Sequence, residues 1–395
     1  MTSTLEPSGA APAPDGQAGT SGAAGSPGSG GPNGGPPGTG STRPTGSVRP
    51  TGSDGSTNST GAPHATGFTG SPGPAGAAVP DTATGSGPAV LAGVDIGGTT
   101  TQVVLCSTGL DVLDRVELPT PAAEGGRAMI GTVLDGLRLL LGRHPARLAG
   151  VGVGAAGVVD AGTGRILVAS DSFTDWAGFA VTATLEASLG VPAFLDNDVN
   201  AFLRGEVAKG AVAGERHVLG MTLGTGVGGA LWMDGALHDG PHGAAGEIGH
   251  IPGFGDIPCT CGGRGHLETL AAGRSLAARC AERTGRSTDA RGVAQAAQDG
   301  DPEALAVFTA AGAGIARALL ITAGLVDVTT VVIGGGVSRA WSLLEPAVQA
   351  ALAAEPPVSG QPIRLVPSLL GSDAVAVGAA SRARSALTAA TAGLG

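Results

Sequence analysis

The sequence predicts a mixed α/β body containing two sheets of similar style, preceded by a segment that cannot fold alone. Three observations carry this reading: a compositional break near Ala89, an alternation of short apolar runs with helix-spaced segments after it, and three glycine-rich turns that each follow a strand-like run. Of residues 1–88, 73 are Gly, Pro, Ser, Thr or Ala, and the only large apolar side chains are Met1, Leu5, Val48, Phe68 and Val79. These are too few to offset a backbone ordering cost of roughly 1–2 kcal/mol per residue, so the stretch reads as a disordered tail. The 307 residues that follow are rich in Ala, Val, Leu and Gly and long enough for a real core.

The first strand, Ala89–Ile96, runs into Gly97-Gly98-Thr99-Thr100 and is followed at once by a second β-type run, Thr101–Cys106. Two such runs joined by a glycine turn predict a hairpin, which separates this turn from nucleotide fingerprints whose glycines open a helix. Helical apolar spacing follows over Gly126–Gly142, then a strand over Leu148–Val153, a helix over Val181–Leu189, a strand over Ala193–Leu195 and a helix over Val199–Ala208. A strand pair is expected around His217–Leu223 and Gly228–Met233, then a glycine-rich loop to Ile257. From Leu267 to Asp327 three or four helices are expected, with Pro302–Ala311 and Ile315–Leu325 as separate ones. Strand Thr330–Ile333, helix Leu343–Ala353, strand Ile363–Val366 and a helix from Asp373 to Leu387 complete the chain.

Composition excludes several functions. The net charge is −10, Lys209 is the only lysine and the arginines are scattered, so no basic stripe exists for nucleic acid. Four cysteines, Cys106, Cys259, Cys261 and Cys280, are too sparse and uneven for a secreted disulfide framework, which points to a reducing cytoplasm. The N-terminus has neither the basic nor the apolar region of a signal peptide, and no stretch reaches the ~18 uncharged apolar residues of a membrane span. A soluble, unexported protein is expected.

The three glycine turns are Asp95–Thr100, Thr222–Gly229 and Val332–Val337. Glycine lets backbone amides approach an anion and threonine adds hydroxyls, so two turns can grip a polyphosphate while the third faces a nucleoside. Singly, each is equally an ordinary turn. Asp95 ends a hydrophobic strand where a carboxylate can hold Mg²⁺ beside phosphate oxygens. Asn197 and Asp198 lie between a strand and a helix, which suits a sugar-binding general base; by position Asp198 is equally an N-cap. Cys259, Cys261, His266 and, nine residues upstream of Cys259, His250 are four ligands of the types zinc prefers, and four protein ligands would make the site structural. Glu247 and Glu268 flank this segment as hydroxyl ligands or surface charges. Cys106 and Cys280 read as small core residues.

With these residues in view, the chain from about Ala89 to Leu387 resembles the ROK (repressor, open reading frame, kinase) family of actin-like sugar kinases. The resemblance rests on Asp95–Thr100, Gly152–Asp160, Asn197-Asp198, Leu223–Gly229, Gly246–His250, Cys259–Glu268 and Gly334–Gly336, in this order. It implies a two-domain actin-like ATPase (ribonuclease H-like) fold, with subdomains 89–200 and 201–395 and the last helix packing back on the first. ATP, Mg²⁺ and a hexose would meet in the cleft, and closure would exclude water. By the resemblance Asp198 is the general base. Asn197, Glu247, His250 and Glu268, with Gly157 and Ser170 nearby, would face the sugar; Asp171 beside Ser170 would do the same. Asp95, Gly97, Gly98, Thr99, Thr100, Gly224, Thr225 and Gly226 would serve the phosphates and Mg²⁺, and Gly334, Gly335 and Gly336 the adenosine.

Two positions depart from the family pattern. The third zinc cysteine is His266 here, and the usual Pro-Gly of the sugar-side loop is Ala156-Gly157. The family's repressors carry a helix-turn-helix before the kinase-like body, whereas residues 1–88 hold only Arg43 and Arg49 as basic residues and no amphipathic helix. A hexose kinase with glucose as leading substrate is therefore expected, with N-acetylmannosamine or N-acetylglucosamine kinase and a silent sugar-binding protein as alternatives. A homodimer or homotetramer is the family habit.

Overall fold

A computed structural model describes residues 87–170 and 172–392. The expectation of a disordered tail over 1–88 falls outside these residues except at Gly87 and Pro88, and position 171 is outside them too.

Strand β1 (Ala89–Ile96) and strand β2 (Thr100–Ser107) form the expected hairpin, with Ile96 opposite Thr101, and β3 (Val112–Pro119) extends it. Helix α1 (Gly126–Arg143) buries Met129, Ile130, Val133, Leu137 and Leu140 on one face before β4 (Arg147–Ala155) enters parallel to β1. The short pair β5 (Val158–Asp160) and β6 (Arg165–Val168) leads to α2 (Val181–Leu189), then β7 (Ala193–Asn197) and α3 (Asp198–Lys209). The first sheet has the order β3-β2-β1-β4-β7.

The second half repeats the pattern. Strands β8 (Val218–Leu223), β9 (Val227–Met233) and β10 (Ala236–His238) make an antiparallel meander. Helices α4 (Glu268–Ala271), α5 (Gly273–Thr284), α6 (Ala290–Gln298) and α7 (Pro302–Val326) precede β11 (Thr330–Gly334), α8 (Trp341–Ala354), β12 (Arg364–Pro367) and α9 (Ala374–Ala392). The order is β10-β9-β8-β11-β12, with β11 and β12 parallel to β8. Each sheet is thus a glycine-turned hairpin followed by parallel strands. This is the actin-like ATPase arrangement.

Helices α3 and α9 lie between the sheets. Val199, Phe202 and Leu203 of α3 pack on Val218, Ala230 and Val332 of the second sheet, while Ala376, Val377 and Ala380 of α9 pack on Leu91, Val104 and Cys106 of the first. The approach requires glycine: a methyl on Gly152 would run into the Ala379 carbonyl, and one on Gly378 into the Ala201 carbonyl. Cys106 and Cys280 are both buried, and burial pushes the Cys106 thiol up to about 12.

Several features depart from the sequence expectations. Pro302–Val326 is one continuous helix rather than two; Gly312 and Gly314, which lie between the two expected helices, are buried where α7 meets α8 and α4, with Leu344 and Ala347 against Gly312 and Leu270 against Gly314. That helix is also long and apolar enough to span a membrane, with a mean hydropathy of 1.9 in its most apolar window, but it buries Val307, Phe308, Ala311, Ile315 and Leu319 in the core beside the second sheet. Strand β3 is absent from the sequence reading because its edge position carries Asp114, Arg115 and Glu117 in place of an apolar run. Strand β10 likewise lies inside a stretch expected to be loop.

Candidate active site

The site is assembled where the strand ends of both sheets meet α3. Asp95 closes β1 half-buried, and burial, then the neighbouring charge of Asp198, pushes its carboxyl up to about 7. The turn beyond it is closed by the Gly97 amide donating to the Thr100 carbonyl at 3.1 Å, while Gly98, Thr99 and Thr100 stay exposed.

Asn197, not Asp198, caps α3. Its Oδ1 accepts from the amides of Val199 at 2.9 Å and Asn200 at 3.2 Å, and its Nδ2 donates to the Gly157 carbonyl at 2.9 Å. The Asp198 side chain is left half-buried in the first turn of the helix, accepting from the Val199 amide at 3.0 Å. Burial raises its pKa to about 6 against the lowering influence of the Val199 amide and the Asp198 backbone, and the Glu247 charge raises it further. Asp95, Asp198 and Glu247 therefore form a run of carboxylates that feel one another. Gly157 adopts φ 110°, which brings its carbonyl to Asn197. Ser170 is exposed, its hydroxyl paired with Ser172 Oγ at 2.7 Å and its carbonyl accepting from the Phe173 amide at 3.0 Å, and among the described residues no hydrogen bond joins it to Asp198.

Glu247 precedes a 3₁₀ turn, Ile248–His250, and its Oε2 lies 3.8 Å from His250 Nε2. The other ring nitrogen, Nδ1, faces Cys259 Sγ at 3.9 Å. Cys261 Sγ lies 3.2 Å from His266 Nδ1, and the ligand atoms of His250, Cys259, Cys261 and His266 are all within 4.8 Å of one another. Tetrahedral zinc with bonds of about 2.0–2.3 Å fits such a spread after small side-chain adjustment. The Cys259 amide donates to Gly263 O at 2.8 Å and the Gly262 amide to Cys259 O at 3.0 Å, which holds the knuckle tight.

Glu268 does not face open solvent. Its Oε2 accepts from the Val227 amide at 3.0 Å, and its Oε1 is paired with Arg274 and 3.5 Å from Thr260 Oγ1. It thereby ties the knuckle to the second glycine turn. In that turn the Gly224 amide donates to Gly226 O at 2.9 Å and the Gly273 amide to Gly224 O at 2.8 Å, so Thr225 is left exposed at the tip. Gly334, Gly335 and Gly336 border a cavity of about 370 Å³ at the ends of β11 and β12, with Arg339, Trp341 and Ser368 among its other walls.

Sequence reasoning missed Arg274, Asp196 and Glu206. Asp196, almost fully buried, pairs with Arg204 Nε at 2.6 Å and accepts from the Asn197 amide at 3.1 Å, fixing the strand end that presents Asp198. Its place in Asp196-Asn197-Asp198 was a signal; nothing in the sequence marked Arg274 or Glu206.

Known proteins are similar to this chain in sequence and fold. The chain is 35% identical over 308 residues to a glucokinase from Halalkalibacterium halodurans, covering 72% of this chain and 92% of that one. It is 32% identical over 267 residues to an N-acetylmannosamine kinase from Citrobacter koseri, covering 67% and 89%. A ROK family glucokinase from Streptomyces griseus, solved with glucose and AMPPNP, superposes with a TM-score of 0.66 at 28% identity, over 75% of this chain and 99% of that one. The family model described as ROK family matches residues 91–386, a span that begins in β1 and ends in α9 and so takes in all three glycine turns, Asp198 and the Cys/His knuckle. This chain belongs to the ROK family.

Proposed function

We propose that the protein transfers the γ-phosphoryl group of ATP to a hydroxyl of a hexose, with the 6-hydroxyl of glucose as the leading acceptor. The observation that carries this reading is the Asp198 carboxylate, held half-buried in the first turn of α3 with its pKa raised to about 6. Such a group is ionised at neutral pH yet basic enough to take a proton. Asp198 accepts the hydroxyl proton as the oxygen attacks phosphorus. Glu247, His250 Nε2 and the spare N–H of Asn197 orient the remaining hydroxyls, and Glu268 reaches them only by releasing Arg274.

On the phosphate side, the amides of Gly98 and Thr99 and those of Thr225 and Gly226 remain for phosphoryl oxygens, since Gly97 and Gly224 donate within their own turns. Asp95 would hold Mg²⁺, which supplies neutralisation of phosphate charge. The cavity at Gly334–Gly336 takes the adenosine. His250, Cys259, Cys261 and His266 would hold a structural zinc, because four protein ligands leave no open position. The subdomain division 89–200 and 201–395, with the cleft between, belongs to the same reading.

N-acetylmannosamine is the second acceptor to consider, on the strength of the Citrobacter koseri relative. ADP release coupled to an indicator, with ATP or polyphosphate as donor across hexoses and N-acetylhexosamines, tests the assignment. Turnover with one sugar is expected, reduced about 10²–10⁴-fold in Asp198→Ala with ADP binding retained. Unchanged turnover in the variant sinks the assignment of the base, and a sugar that raises Tm without turnover replaces the kinase with a binding protein.

A further inference from the structure

Glu206 lies on α3 two turns beyond Asp198 and is fully buried. A carboxylate in that position is costly unless its oxygens are saturated with donors. Here it receives four: the amides of Ala211 at 2.8 Å, Leu369 at 3.2 Å and Leu370 at 3.0 Å, and the Ser368 hydroxyl at 2.6 Å. All four donors are neutral, and three of them belong to the segment after β12. That segment is a wall of the cavity at Gly334–Gly336, lined by Pro367, Ser368, Gly371 and Ser372. The Ser368 oxygen also accepts from the Gly371 amide at 3.0 Å, so the grip of Glu206 is relayed one step along the wall. At its far end Asp373 accepts from Gln102 of β2 at 2.8 Å and Arg115 of β3 at 2.6 Å. The wall is strung between α3 and the first sheet.

We propose that Glu206 is a positioning residue for nucleotide binding, holding the Ser368–Ser372 wall at a fixed distance from the base that the same helix carries. The occupant of the cavity is taken from the function proposed above. Eight residues of α3 separate Asp198 from Glu206, about 12 Å of helix. One rigid element therefore sets the place of the proton acceptor at one end and of the nucleoside wall at the other. Three donors on one loop, the Ser368 hydroxyl and the Leu369 and Leu370 amides, converge on a single buried side chain, and that makes the coupling stiff.

The test compares full-length wild type, Glu206→Gln and Ser368→Ala by calorimetric titration with ADP and, separately, with glucose, together with KM for each substrate and Tm. Glu206→Gln keeps the shape but turns an N–H toward amide donors; Ser368→Ala removes one bond and the relay to Gly371 while leaving the carboxylate three donors, so it keeps the test valid should the first variant fold poorly. Expected are about tenfold weaker ADP binding and a similar rise in KM for ATP in Glu206→Gln, with a smaller rise in Ser368→Ala and sugar affinity within about twofold. ADP binding equal to wild type in both variants overturns the positioning role and leaves the kinase reading intact. Equal weakening for ADP and sugar with a fallen Tm assigns Glu206 to stability alone and also overturns it. Wild-type protein that binds glucose but no ADP overturns the occupant of the cavity, and this inference with it.

Discussion

The β1–β2 and β8–β9 turns occupy equivalent places, each closing the hairpin that begins a five-stranded sheet, but they are held by different means. Among the described residues the first is held by its own hairpin bond from Gly97 to Thr100 and by the Thr120 amide donating to Thr99 O at 3.0 Å, and it follows a carboxylate, Asp95, that burial and Asp198 make reluctant to ionise. The second is pinned from outside: Gly273 donates to Gly224, Glu268 accepts from Val227, and Gly335 lies against the Leu223 backbone. One turn is thus an electrostatic device with room around it, the other a packed junction whose position depends on the knuckle and on the third glycine turn. Duplicated topology carries two kinds of control, which the proposed function would bring to bear on one phosphate chain.

Two glycine-to-alanine changes break that comparison most directly. Gly335 sits at φ 90°, and a Cβ there would collide with the backbone of Leu223. Gly335→Ala should cost about 3 kcal/mol or more, read as a fall in the midpoint of chemical denaturation. A Cβ on Gly98 meets only Phe173 Cζ at 3.6 Å, an ordinary contact. Gly98→Ala should leave stability within about 0.5 kcal/mol while raising KM for ATP, because the methyl obstructs approach to the amides rather than the fold. Similar stability losses in the two variants would mean that the turns are held alike.

The knuckle supplies the next test, since it reaches the second turn through Glu268 and not the first. Metal analysis of the purified protein should find one zinc per chain, and Cys259→Ser should release it and lower stability by about 2–3 kcal/mol. Protein without zinc in the wild type would return His266 to the status of a loop residue. Chelation should weaken nucleotide binding through the β8–β9 turn while sparing the fold of the first sheet, which hydrogen exchange over β1–β4 would show as unchanged protection.

How much of this was legible in the sequence follows from what each feature depends on. The glycine turns, the strand before Asp95 and the segment around Asp198 are local: short apolar runs and turn residues dictate them, and their boundaries fell within a residue or two of β1, β7 and α3. The Asp198 alternative, an N-cap, was undecidable because Asn197 and Asp198 are both good caps; the choice is made by Gly157, forty residues away, which accepts from Asn197 and orients it. Glu206 was invisible for the same reason, since three of its four donors lie more than 160 residues downstream. The break expected in α7 was wrong because a buried glycine reads the same in sequence whether it ends a helix or admits a neighbour.

The electrostatic character of the first turn predicts the pH dependence. As the proposed base, Asp198 would act ionised, so kcat/KM should fall about tenfold per pH unit below about 6 and level off above it, a profile that Asp198→Ala would lack. Asp95 gives the most specific effect. Its pKa rises on folding from the ordinary 3.8 to about 7, so the folded state holds its proton more tightly than the unfolded chain does. The folded state keeps that advantage below pH 4 and loses it progressively as pH rises to about 7, after which the loss is constant. Asp95→Asn removes the ionisation without removing the shape. Measured without added Mg²⁺, its Tm relative to wild type should be near zero at pH 4 and rise to a few degrees at pH 8. Added Mg²⁺ and ADP should cancel the difference by stabilising only the ionised wild type. The same substitution offered at the second turn has no counterpart, because the residue in the place of Asp95 there, Thr222, carries no charge to relieve.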